Sequence, residues 1–177
     1  GYCAQHDFRL QRGTQSGLLR YPPTTACPWT GGREAEWVSV EGKGAVHSYT
    51  EVHHAIQPAF RDKVPYQILL VDLDTQKGEP TEHEALRVAG NLVTPDGELA
   101  PPEVVRTVGI GTRVRMAFVD VAEGLSIPQW TIDEDACQPA GVCQSARQRS
   151  RIAGMGKMIV RPRDESDLVT VVQIHDA

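Results

Sequence analysis

Five side chains in this sequence are of the types that serve in acid–base catalysis and metal binding, and they fall on two neighbouring predicted strands. The first strand and the residues just after it carry three histidines, and the second carries two aspartates: His47, His53, His54, Asp72 and Asp74. Either chemistry needs two or three such groups to converge on one point. In a regular strand, alternation puts His47 and His53 on one face. The simpler interpretation, which we favour, is that each histidine faces solvent or is satisfied within the core.

No serine or cysteine stands in the sequence context of an activated nucleophile. Ser48 lacks the glycine-flanked turn of a nucleophile elbow, and Cys27 lies in a turn segment with no evident base. The pair Gly109 and Gly111 precedes a predicted strand rather than opening a helix, so it indicates a turn and not a dinucleotide-binding loop. We therefore expect no catalytic residues in this chain and no cofactor bound by it.

Residues 13–36 are rich in glycine, proline and threonine and contain two pairs of positions three residues apart, Gly13 with Ser16 and Cys27 with Thr30. This spacing is typical of a rubredoxin-like zinc ribbon, in which two Cys-x2-Cys knuckles hold one tetrahedral metal. Only one of the four cysteines is present, so the segment predicts a degenerate ribbon without metal. Composition alone also fits a plain Pro/Gly loop. Without metal, we expect three aromatic side chains to hold the segment against its neighbour: Tyr21, Trp29 and Trp37.

The composition narrows the classes of function. Of the 177 residues, 40% are hydrophobic and 23% charged, which is typical of a globular protein. The net charge of −5 weighs against general binding of a nucleic-acid backbone. No apolar run approaches the roughly 18 residues of a membrane helix. The 4 cysteines are too scattered for a secreted disulfide scaffold, so we expect free thiols, at Cys137 and Cys143 as elsewhere, and a cytoplasmic protein.

Alternating and continuous apolar runs predict a mainly β fold with five strands. The first strand is long and bent, and the five fall at residues 37–52, 66–74, 86–93, 112–121 and 127–132. A short helix at 101–106 precedes the fourth strand, which is the arrangement of a small OB-fold barrel, closed or nearly so. The predicted organisation is an N-terminal segment with the degenerate ribbon (1–36), the OB-fold domain (37–132) and a C-terminal extension (133–177). Within the extension, residues 157–160 and 168–174 are candidates for a hairpin.

Two surface features are candidates for binding. The loop after the first strand carries Ile56, Pro58 and Phe60, and exposed apolar groups of this kind indicate an interface. The alternative, that this loop folds back over the barrel mouth, stays open. A basic cluster near the C-terminus is either solvated surface or a contact for phosphate groups; it consists of Arg147, Arg149 and Arg151.

A series of short motifs spans residues 9–132 in an order and spacing that resemble one protein family. The motifs are LQR (10–12), LRYPP (19–23), CPW (27–29), EWVSVEGKGAVHSYTEVH (36–53), PYQILLVDL (65–73), VGIGTRVR (108–115) and DVAEGLSIPQW (120–130). The chain resembles the acyl-CoA-associated family, formerly a domain of unknown function, that joins a zinc ribbon to an OB-fold barrel. The family usually has both Cys-x2-Cys knuckles, and three of those four positions are changed here.

This resemblance implies a non-catalytic accessory subunit. Members of the family look like partners of thiolase-fold enzymes: thiolases, acyltransferases and the aldolases that shorten acyl-CoA side chains in steroid and related lipid catabolism. It implies that ribbon and barrel dock on such an enzyme, in a heterotetramer, and help to shape its acyl-CoA site. Tyr21 and Trp29 would then join Ile56, Pro58 and Phe60 at the interface, and the arginine cluster at 147–151 would lie near the nucleotide phosphates.

Two other functions compete with this one. An OB-fold module that binds nucleic acid would need aromatic and basic side chains along one barrel face, and aromatic residues make up only 6% of the chain. A stand-alone acyl-CoA enzyme would need the nucleophile and base that the sequence does not assemble. We therefore expect no nucleic-acid partner and no independent activity.

Overall fold

The computed structural model describes residues 1–138 and the short strand Val171–Val172. Its strands form two antiparallel sheets. No helix within these described residues has the length and hydrophobicity needed to cross a membrane.

The smaller sheet is N-terminal and has three strands in the order β2-β1-β3. Its strands are β1 (Arg9–Gly13), β2 (Leu19–Arg20) and β3 (Ala35–Ser39). Gln11 of β1 pairs with Arg20 on one side and with Trp37 on the other, so these three residues form a row across the sheet. A 3-10 helix, Tyr2–Gln5, precedes the sheet.

The larger sheet has the order β6-β5-β4-β7-β8. Its strands are β4 (Lys43–Val52), β5 (Tyr66–Leu73), β6 (Arg87–Asn91), β7 (Arg113–Ala122) and β8 (Leu125–Ile132). A 3-10 helix, Pro58–Lys63, lies between β4 and β5, and the short helix α1 (Pro102–Val105) lies between β6 and β7. The predicted mainly β class, the OB-type order of strands and the helix before the fourth barrel strand are therefore confirmed.

The sheet does not close into a complete hydrogen-bonded ring. Its two edges, β6 and β8, approach each other at a single bridge among the described residues, between Leu92 and Trp130. The N–H of Val93 donates to the carbonyl of Trp130 across a distance of 2.7 Å. The predicted barrel is thus an open one, with its edges joined at one point.

One strand prediction is wrong at its start. Residues 37–52 do not form a single bent strand, because the chain leaves β3 in the small sheet and turns at Gly42 before β4 begins in the large one. Gly42 has φ 67°, a left-handed conformation that glycine adopts without strain. Trp37 therefore belongs to the small sheet.

The C-terminal extension contributes one short strand to the described structure. In β9 (Val171–Val172), Val171 pairs with Glu51 and Val172 with Thr50, both of β4. Residues 157–160, which we predicted as the partner of this segment in a hairpin, lie outside the described residues.

Both sheets share one hydrophobic core centred on Trp130, which is fully buried. Phe8, Leu10 and Leu19 of the N-terminal part belong to the same cluster. Gly90 passes close to the indole, since a Cβ at that position would lie 2.9 Å from Cδ1 of Trp130. The N-terminal segment is thus held to the barrel by aliphatic side chains and Phe8. The three aromatic residues predicted for that role are exposed instead: Tyr21 (39%), Trp29 (40%) and Trp37 (45%).

Candidate functional site

The two pairs of ribbon positions converge on one point. The hydroxyl of Ser16 lies 3.4 Å from the Cys27 sulfur. A Cβ on Gly13 would lie 3.5 Å from the same sulfur and 2.8 Å from the Ser16 oxygen. Each pair also begins a tight turn, closed by Gly17 N–H donating to Gly13 O and Gly31 N–H donating to Cys27 O, both at 2.8 Å.

The donor set at this point does not fit zinc. Hydroxyl groups stand at Ser16 and Thr30, no side chain stands at Gly13, and Cys27 is the one thiol of the four. Hydrogen bonds from Ser16 first, and then from Thr30, lower the pKa of Cys27 to about 6, against an opposing effect of burial. A network of hydrogen bonds therefore occupies the centre where a ribbon would carry its metal.

A glutamine from the barrel holds the ribbon segment. The Gln76 side chain accepts a hydrogen bond from Leu19 N–H at 2.6 Å and donates one to Leu19 O at 2.9 Å. Leu19 is in β2, at the edge of the small sheet, and Gln76 is in the turn after β5. The amide thus satisfies the edge strand as a neighbouring strand would.

The candidate histidines do not converge, and the reason is a bulge in β4. The register between β4 and β5 shifts between Val46 and Ser48, with His47 at the shift. One extra residue reverses the alternation of faces beyond it, so the spacing no longer places His47 and His53 on the same face. In addition, β4 ends at Val52, so His53 lies outside the strand. The prediction that both histidines share one face assumed a regular strand, and β4 is not regular at His47.

His47 is part of a small surface network. Its Nδ1 lies 3.2 Å from Oδ2 of Asp72, and Oδ1 of Asp72 accepts a hydrogen bond from Nε of Arg87 at 2.9 Å. An arginine that occupies the second carboxylate oxygen is typical of a structural ion pair rather than of a base that activates a nucleophile.

The remaining candidates also have separate partners. His53 Nε2 lies 3.1 Å from Glu51, and His54 is exposed. Asp74 pairs with Arg113, whose hydrogen bonds lower the pKa of that carboxyl group. No group of three or more metal-binding side chains occurs within residues 1–138. The arrangement of these residues stabilises strands and offers no assembled catalytic centre.

The apolar loop between β4 and β5 is partly folded back. Ile56 is 70% exposed and Pro58 is also exposed. Phe60 is half-buried, with its ring centroid 5.8 Å from that of Tyr66. Phe60 thus packs against Tyr66 of β5, while Ile56 and Pro58 face outward. The role of this loop at an interface stays a prediction.

The sequence did not single out a second exposed apolar group, at the β7–β8 hairpin. Its members are Val121 (50% exposed), Leu125 (56%) and Ile127 (42%). The sequence predicted Ile127 only as part of an edge strand. The alternation of residues in a strand does not show which of its two faces stays uncovered by the rest of the chain. The arginines at 147–151 lie outside the described residues, so their role as phosphate contacts stays a prediction.

Sequence reasoning also missed a buried arginine, Arg20, which is 3% exposed. It lines an open cleft of about 350 Å³ together with Gln11 and Arg33. Its position directly after an apolar pair, Leu18-Leu19, was the only sign that it would be buried.

Comparison with known proteins places the fold in a family. Residues 37–119 match the family model for the C-terminal OB-fold domain of ChsH2. A chain in the solved structure of the Ltp2–ChsH2(DUF35) aldolase is 27% identical and superposes with a TM-score of 0.58, covering 74% of this chain and 88% of that one. A probable enoyl-CoA hydratase alpha subunit of Thermomonospora curvata is 31% identical over 124 residues, which are 70% of this chain.

The chain spans about a third of the length of that curated relative, 33%. The family model begins at residue 37, within β3, and extends into β7, so it matches the greater part of the large sheet. The resemblance inferred from the motifs is confirmed: the OB-fold domain of this chain matches the model for the C-terminal OB-fold domain of ChsH2, and its fold is similar to that of a chain in the Ltp2–ChsH2(DUF35) aldolase.

Proposed function

We propose that this chain is a non-catalytic accessory subunit that docks on a thiolase-fold enzyme and helps to shape its acyl-CoA site. The observation that carries the proposal is the similarity to the aldolase chain, which extends over 88% of that chain and includes more than the OB fold. The name of the curated relative points to acyl-CoA chemistry as well, since it is a probable enoyl-CoA hydratase subunit.

The geometry of the chain supports a docking role. His47 pairs with Asp72, His53 with Glu51, and Asp74 with Arg113. Cys27 contacts Ser16, so none of these pairs brings a base to the thiol. Apolar side chains are exposed on the ribbon, on the β4–β5 loop and on the β7–β8 hairpin. Exposed aromatic groups such as Trp29 and Tyr21 are frequent at the centre of protein interfaces.

The reaction of the complex would be carried out by residues of the partner. This chain would contribute walls to the acyl or pantetheine channel and fix the orientation of the partner's loops. We propose a heterotetramer with two copies of each subunit, a cytoplasmic location and, as the most specific substrate class, the acyl-CoA thioesters of steroid or related lipid side chains.

Affinity purification of the tagged chain from its native cells, followed by mass spectrometry, tests the proposal. We expect a thiolase-fold protein in stoichiometric amount, and retro-aldol or acyl-transfer activity on acyl-CoA in the complex but not in this chain alone. A stoichiometric partner without a thiolase fold contradicts the proposal. So does full activity of the isolated chain, or saturable binding of single-stranded DNA at physiological salt, which would favour a nucleic-acid module.

A further inference from the structure

The guanidinium group of Arg20 is buried without a carboxylate partner among the described residues. Its Nε donates to Oε1 of Gln11 at 2.9 Å and its Nη2 donates to the Thr24 carbonyl at 3.1 Å. Within residues 1–138, its Nη1 has no hydrogen-bond partner. Both partners are neutral, so the positive charge is hydrogen-bonded but is not balanced by any acidic side chain of the described part of the chain.

An unbalanced charge of this kind is costly to bury. An arginine side chain carries a permanent positive charge in proteins. Burial of a charge is tolerated when an opposite charge or a ligand compensates it. Burial of the Arg20 charge therefore destabilises the folded chain when no ligand is bound. An anion that binds beside the guanidinium group would remove part of this cost and gain affinity from it.

The cleft beside Arg20 has the electrostatic character that an anion requires. Arg33 lines it as well, and no acidic residue is among the described residues that form its wall. Glu36, the nearest acidic residue in β3 to this row, pairs with Arg12 at 2.7 Å. Since Arg12 and Gln11 are adjacent in β1, their side chains point to opposite faces, and the carboxylate of Glu36 is on the far side of the sheet.

We infer that this cleft is a binding site for the phosphate group of a small molecule. Two guanidinium groups match the two negative charges that a phosphate monoester carries near neutral pH. The volume of about 350 Å³ exceeds what a bare phosphate fills, so the ligand carries a substituent. The site depends on the chain itself and not on the proposed partner, so the two proposals can fail separately.

Titration calorimetry of the full chain with inorganic phosphate and with pyrophosphate, at constant ionic strength in chloride, tests the inference. We expect one saturable site per chain, with an affinity about tenfold weaker in Arg20→Gln and several-fold weaker in Arg33→Gln. Arg33 is exposed, so its variant keeps the test decisive even if Arg20→Gln does not fold.

Arg12→Gln is the matched control, because Arg12 lies in the same sheet on the opposite face. This variant should bind phosphate with the same affinity as the natural chain. Three results would overturn the inference: no saturable binding, equal affinity in Arg33→Gln and the natural chain, or an equal loss in Arg12→Gln. Acetate that binds as tightly as phosphate would overturn the assignment to a phosphate group.

Discussion

The Gln76 side chain bonds to both main-chain polar groups of Leu19, at 2.6 Å from its N–H and 2.9 Å from its carbonyl oxygen. This contact joins the barrel to the ribbon over 57 residues of sequence. It lies beside the aliphatic contact of Leu10 and Leu19 with the common core. Hydrogen bonds and apolar packing together therefore attach a segment that has no complete set of metal ligands.

Replacement of Gln76 by alanine should destabilise the chain. It leaves the N–H and carbonyl of Leu19 without protein partners at a partly buried position, which costs about 1–2 kcal/mol in the free energy of unfolding. Urea denaturation measures the loss. Gln57→Ala is the control, because the Gln57 side chain makes no capping hydrogen bond at the helix that it precedes. Equal stability of the two variants would show that the contact does not hold the ribbon.

The titration of Cys27 should be visible in the pH dependence of stability. Hydrogen bonds from Ser16 and Thr30 lower its pKa from 9.0 to about 6, so the folded state binds fewer protons than the unfolded state between these values. Stability should therefore rise with pH across this window, and the contribution should be lost as pH falls through about 6.

Thiolate absorbance, measured as the difference between the natural chain and Cys27→Ser, should have its midpoint near pH 6. In Ser16→Ala the midpoint should move upward, because the principal hydrogen bond to the thiolate is lost. A midpoint at the ordinary cysteine value in the natural chain would show that Ser16 and Thr30 do not stabilise the Cys27 thiolate.

Cysteines introduced at the three positions that converge with Cys27 should create a metal site. Gly13→Cys, Ser16→Cys and Thr30→Cys together place four thiols around the point where a Cβ on Gly13 lies 3.5 Å from the Cys27 sulfur. We expect one zinc per chain by elemental analysis and an increase in melting temperature, because binding energy adds to folding energy.

The same triple variant with Cys27→Ser should bind zinc much more weakly, since three thiolates replace four. The natural chain should contain less than one equivalent. A full equivalent in the natural chain would mean that residues other than the ribbon thiols hold the metal.

The exposed isoleucine of the β4–β5 loop gives a direct test of the proposed interface. Ile56 is 70% exposed, so Ile56→Glu should change the stability of the chain by no more than about 0.5 kcal/mol. It should weaken association with the co-purified partner about tenfold or more, because a charge is then desolvated at an apolar contact.

Ile110→Glu provides the comparison, since Ile110 is also exposed, at 44%, but lies in the turn before β7. Biolayer interferometry of the two variants against the partner separates a local contact from a general effect of charge. Equal affinity of Ile56→Glu and the natural chain would remove this loop from the interface.

The strands of the barrel were predictable because each one has a pattern of apolar and polar residues within its own short segment. The alternation of Val114, Met116 and Phe118 with Arg113 and Arg115 predicted β7, and its buried Val114 and exposed Arg115 follow that pattern. The bulge at His47 was not predictable, because a bulge is set by the pairing of β4 with β5 rather than by the residues of β4 alone. Hence the faces of His47 and His53 could not be read from spacing.

The sequence by itself determined the mainly β class, the order of the strands and the resemblance to the ChsH2 OB-fold domain. These properties depend on residue identity and on the order of short motifs, which the chain carries locally. Only the tertiary structure decided that Trp37 belongs to the small sheet, that Gln76 holds Leu19, and that Arg20 is buried without an opposite charge among the described residues. Each of these depends on contacts between segments that are distant in the sequence. Such contacts are set by the packing of the whole chain around one core, and local sequence patterns do not specify them.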